Sequence, residues 1–143
     1  MDSLIQALAC MAAATCFGLL LRQPKNTLFF SAIIGFLGYA VFQLAGEDLL
    51  AFFLTGLVVG ILSELAARAV ERTATLFLIS SIIPTVPGLG LYRTMMALSE
   101  NNLELATKIG FETLAGIGAI ALALTVAAVF FSTIHVRARK TPL

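Results

Sequence analysis

Two acidic residues, Glu64 and Glu112, bordering long uncharged apolar runs, and the segment IIPTVPGLG at 82–90 are the parts of this chain whose types and spacing could do chemistry. Pro84 and Pro87 each lack an amide donor, which frees the carbonyls of Ser80 and Ile83, while Gly88 and Gly90 remove the side chains that stiffen a helical backbone. A helix that restarts near Pro87, with Thr85 placed to cap it, would aim amide donors and a positive dipole end at a carboxylate. Ser81 and Thr85 supply hydroxyls beside that break. Thr85, Pro87, Gly88, Ser81 and Glu112 are therefore the candidate solute-binding residues. The alternative for the same segment is a proline kink repaired by Ser80, Ser81 and Thr85. Glu64 is a candidate for proton coupling or for an ammonium group, and Glu112 shares that chemistry, since an acid within a membrane-spanning run is expensive and often functional. Each also has a structural alternative: Glu64 with Arg68 at i,i+4, and Glu112 with Lys108. No Ser-His pair, paired aspartates or metal-ligand spacing appears, so neither an enzyme nor a cofactor nor a metal is expected, and His135 reads as a solvated residue near the chain end.

The elements that must position these groups are set by the solvent. The chain has 143 residues, of which 59% are hydrophobic and 12% charged, and its mean hydropathy is +1.00. Soluble domains carry about twice that fraction of charge, so a bilayer rather than water surrounds this protein. A net charge of +1 offers no basic field for nucleic acid. Charged residues divide the chain into five apolar stretches, and a hydrocarbon core of about 30 Å needs about 20 helical residues. The expectation is an all-α integral membrane protein of five transmembrane helices over about 3–21, 27–45, 49–67, 74–98 and 110–134, a single domain whose fourth helix is interrupted at 84–90. The first stretch is not a secretory signal, because Asp2 precedes it and Arg22 and Lys25 follow it. Assigning loops alternately to two sides places Arg22, Lys25, Arg68, Arg72, Arg137, Arg139 and Lys140 on one side and only Arg93 and Lys108 on the other. By the positive-inside rule the amino terminus is outside and the carboxyl terminus cytoplasmic.

Small residues mark the packing faces. Gly56 and Gly60 lie four apart in line with Glu64, and Ala115, Ala119, Ala123 and Ala127 form a second stripe, with Gly116 beside it. In the second stretch Ser31, Gly35, Tyr39 and Gln43 make a polar stripe. The glycine and alanine faces are expected to associate with a partner chain.

The run IIPTVPG at 82–88, followed by LYRTMM at 91–96 and the polar turn SENN at 99–102, resembles the threonine/serine exporter family, and in particular its small split subunit corresponding to the carboxyl-terminal five-helix half. The resemblance implies a transporter half that exports small hydroxylated amino acids or, in split pairs, a dicarboxylate such as succinate. It implies as partner a second, larger polytopic membrane subunit, in the cytoplasmic (inner) membrane of a bacterium. A non-transporting assembly subunit is the competing reading. A half of opposite orientation would complete an inverted repeat, the geometry on which alternating access is commonly built.

Overall fold

Three turns of this chain close in the same way. Arg22, Glu71 and Asn101 each adopt left-handed backbone, with φ of 54°, 53° and 56°. In each case the next amide reaches back five residues: Gln23 N to Gly18 O, Arg72 N to Ala67 O and Asn102 N to Ala97 O. This is the Schellman closure, which satisfies carbonyls that a helix end would otherwise leave open. A computed structural model describes residues 2–46 and 48–138, with side chains placed for 4–46 and 48–133. Glu47 and the side chains of His135, Arg137, Arg139 and Lys140 lie outside the described residues.

The described residues form six α-helices and one 3-10 turn: α1 (Asp2–Leu20), α2 (Lys25–Leu44), α3 (Leu49–Ala69), α4 (Ala74–Ile82), the turn Ile83–Thr85, α5 (Gly88–Ser99) and α6 (Leu103–Ala138). Of these, α2, α3 and α6 are long and apolar enough to cross a membrane. The α4–α5 pair, bent by 46°, makes a fourth if taken as one span, while the apolar part of α1, Leu4–Leu20, is shorter than a full span. The chain is thus a multi-pass helical protein with three or four candidate spans.

Pairwise contacts fix the direction of each helix. Gly35 sits against Ala14, and Gly18 against Leu28, so α1 and α2 run antiparallel. Gly116 meets Phe52, Gly56 meets Ile120 and Ala123, and Gly60 meets Ala127, so α3 and α6 run parallel. Parallel α3 and α6 require the intervening chain to return to the end at which α3 began. The bent α4–α5 pair supplies that return. The glycine face of α3 and the alanine face of α6 meet each other, which corrects the expectation that they are free for a partner. A stripe of small residues serves equally within a chain or between chains, and here the return of α4–α5 delivers α6 to α3 first.

A buried polar network holds α4. Gln23, only 6% exposed although it lies in a turn, donates through Nε2 to the Leu76 carbonyl and, at 3.0 Å, to Ser80 Oγ. Ser31 Oγ donates to Gln23 Oε1 at 3.0 Å, and Ser81 Oγ donates to the Ser31 carbonyl at 3.0 Å. Polar groups withdrawn from water need partners, so this network fixes the α1–α2 turn, α2 and α4 in one register. The polar stripe of α2 thus splits between two sites. At the opposite end of the bundle, Tyr39 and Gln43 both donate to Gln6 Oε1 of α1, at 3.0 and 2.8 Å.

Candidate solute site

The break in the fourth helix is real and only partly repaired by backbone. Pro84 lies inside the 3-10 turn. Val86 N donates to Ile83 O at 3.3 Å, Gly88 N to Val86 O at 2.7 Å, and Leu91 N to Pro87 O at 3.4 Å. The side chains proposed to repair a simple kink are engaged elsewhere: Ser80 Oγ donates to the carbonyls of Leu76 and Phe77, and Ser81 to α2. Thr85 does not cap the second half-helix; the residue preceding α5 is Pro87, and no side chain caps it. The Thr85 hydroxyl is instead buried and has no hydrogen-bond partner among the described residues. The 3-10 turn carrying it packs on α1, α2 and α4, and on no other helix among the described residues.

Pro87 opens onto a cleft of about 500 Å³ lined by Asp48, Leu49, Phe52, Phe111, Glu112, Thr113 and Ala115. Asp48 precedes α3 and has extended backbone, with φ −87° and ψ 178°. Glu112 and Thr113 lie on α6, positioned by the contact between α5 and α6. Gly90 allows that contact, since a Cβ there would fall 2.3 Å from Thr113 Oγ1. Thr113 donates to the Ile109 carbonyl at 2.7 Å, and Thr94 to the Gly90 carbonyl at 2.8 Å. α5 packs on α6 and on no other helix among the described residues. The cleft lies beside the first turn of α3, so Pro87 sits toward one end of the bundle rather than midway along α3.

Among the candidate residues the fold therefore brings Pro87 and Glu112 together. Gly88 is exposed, with open space where a side chain would be. Ser81 and Thr85 are buried behind the break. Ala115 reaches the cleft, Ala123 is buried against Gly56, and Ala119 is half-buried between them. Glu64 lies in a second cleft at the other end of α3. There Arg68 turns toward α6, donating to the Phe131 carbonyl at 3.2 Å and stacking over its ring at 4.8 Å.

Sequence reasoning missed Asp48 and Thr113 as cleft residues. Asp48 reads as a turn acid because its partner in the cleft is 64 positions away, and no local signal links it to Glu112. With two carboxylates and no cationic side chain among its lining residues, the cleft favours a cationic or ammonium-bearing group. Gly88 N and Leu91 N are taken by Val86 O and Pro87 O, so the amides of Leu89 and Gly90 offer the complementary pole for an anion.

A multi-pass helical membrane protein with an interrupted helix opening onto a polar cleft belongs, by architecture, with proteins that handle small solutes within the bilayer. The family model described as "Threonine/Serine exporter, ThrE" matches residues 6–130, and the chain belongs to that family. It is a membrane transporter protein of the threonine/serine exporter type. Neither a curated protein nor a solved structure matches the chain.

Proposed function

We propose that this chain is one half of a secondary transporter that exports a small carboxylate-bearing solute, and that the cleft beside Pro87 is its binding site. The observation that carries this reading is the convergence of an uncapped half-helix start at Pro87 with Asp48, Glu112 and Thr113 around one cleft. An amino acid presents a carboxylate and an ammonium group. The first takes the amides of Leu89 and Gly90 in the first turn of α5; the second takes Glu112 and Asp48. A dicarboxylate such as succinate would meet two carboxylates of its own sign, so the lining favours threonine- or serine-type amino acids. The Thr113 hydroxyl is the nearest candidate partner for a substrate hydroxyl. Glu64, in the other cleft, is the proposed coupling acid.

The chain crosses the cytoplasmic membrane of a bacterium five times in this reading, α1 included, with its amino terminus outside. Support comes from the clustering of Arg22, Lys25, Arg68 and Arg72 toward one end of the bundle, where the α1–α2 turn and the start of α4 meet through Gln23. Five crossings put the two termini on opposite sides. A second, larger polytopic subunit of opposite orientation then completes an inverted repeat.

The test is export of radiolabelled threonine and serine from proteoliposomes holding this chain with its partner subunit. Glu112→Gln should raise the KM for export about tenfold or more, the worth of one charge-assisted hydrogen bond, while membrane insertion is unchanged. Full export by Glu112→Gln, or by a variant with Pro84, Pro87 and Gly88 replaced by alanine, would remove the cleft from transport and leave a non-transporting assembly subunit. Flux catalysed by this chain alone would refute the need for a partner.

A further inference from the structure

The second cleft, of about 590 Å³, lies where α3 ends and α4 begins, and its lining includes Glu64, Arg68, Arg72, Thr73, Thr75 and Ser132. The geometry points to a binding site for the phosphodiester headgroup of an anionic phospholipid, independent of the solute site at Pro87. Two guanidinium groups and one carboxylate leave a lining charge of +1. The amino end of α4 adds to that charge, because Thr73 makes no side-chain cap and the first amides of a helix have no partner within it. Guanidinium matches the geometry of a phosphate oxygen pair, and the hydroxyls of Thr73 and Thr75 supply further donors.

Position selects the lipid as the source of the phosphate. Arg68 ends the apolar run of α3, and Ala74 begins that of α4, so the cleft sits at the depth where a headgroup meets hydrocarbon. The same cleft is also lined by the apolar Ala67, Ala74, Ala128 and Phe131. Acyl chains can lie on these residues while the phosphate enters between the arginines. Basic clefts between helices at a membrane interface recur as lipid headgroup sites. A charge of +1 suits one phosphodiester. A choline headgroup, neutral overall, gains no such advantage.

The choice of variant follows from the contacts. Arg68 also joins α3 to α6 through Phe131, whereas Arg72 is exposed and, among the described residues, is hydrogen-bonded only through its backbone amide, so Arg72→Gln removes charge without removing packing. The experiment titrates short-chain phosphatidylglycerol or phosphatidylcholine into the detergent-solubilised full chain and counts bound lipid by native mass spectrometry. Phosphatidylglycerol should bind in preference to phosphatidylcholine. Arg72→Gln should weaken it about five-fold, while Arg72→Lys and the distant Arg93→Gln retain most of the affinity. Equal binding of the two lipids, or equal loss in Arg72→Gln and Arg93→Gln, would overturn the site. Glycerol 3-phosphate displacing the lipid at equal concentration would also overturn it, showing a free-anion site instead.

Discussion

A β-carbon at Gly90 would lie 2.3 Å from the Thr113 hydroxyl oxygen and 3.0 Å from its methyl group, closer than any side chain allows. Gly90 is therefore a contact glycine, required where α5 rests on α6, whereas Gly88, two residues earlier, faces open space. Gly90→Ala should destabilise the chain by about 1–3 kcal/mol, the usual range for overpacking. Adding Thr113→Ala should recover much of the loss, since Oγ1 and the methyl group are the two nearest atoms. Gly88→Ala should be neutral or slightly stabilising, by up to about 1 kcal/mol. Thermal unfolding of the three variants and the unaltered chain in one detergent checks all three statements. It also means that a test of the helix break should leave Gly90 in place.

Gly60→Leu should impair folding of the isolated chain rather than its docking to a partner. A Cβ at Gly60 would come within 2.8 Å of the Ala127 Cβ on α6, so a larger side chain must separate α3 from α6. A loss of about 2 kcal/mol or more is expected. Monomer thermal stability is the measurement, and an unchanged midpoint would contradict the parallel α3–α6 packing.

Gln23→Ala should loosen α4 more than Ser81→Ala does. Gln23 carries two donated bonds and one accepted bond, and its removal also strands the Ser31 hydroxyl. Ser81 makes one bond, to a carbonyl. A cost of about 1–3 kcal/mol is expected for Gln23→Ala and about 0.6 kcal/mol for Ser81→Ala. Hydrogen–deuterium exchange of the amides of α4 (Ala74–Ile82) should rise markedly in the first variant and little in the second.

Orientation is testable by thiol labelling. In a background lacking Cys10 and Cys16, cysteines at Asp48 and Asn101 should react from outside intact cells, and a cysteine at Arg72 should not. Labelling at 72 but not at 48 would reverse the proposed topology.

The sequence by itself determined the solvent, the approximate helices and the place of the break. Each is a local property. Apolar runs bounded by charge need only the bilayer to become helices, and Pro84, Pro87 and Gly88 interrupt one whatever surrounds them. It did not determine α6, whose 36 residues begin before the expected span because Asn102 Oδ1 accepts from Leu105 N at 3.2 Å and the helix then runs through Lys108 and Glu112 without a stop. Nor could it show which small-residue stripe meets which, or that Gln23, polar and in a turn, is buried as the hub of α4. Tertiary structure alone decided those, and with them the candidate site. Asp48, Pro87 and Glu112 line one cleft because α6 runs parallel to α3 and α5 folds back along α6. That arrangement is set by contacts such as Gly56 with Ala123 and Gly90 with Thr113, between residues too far apart in the chain for any local spacing to reveal.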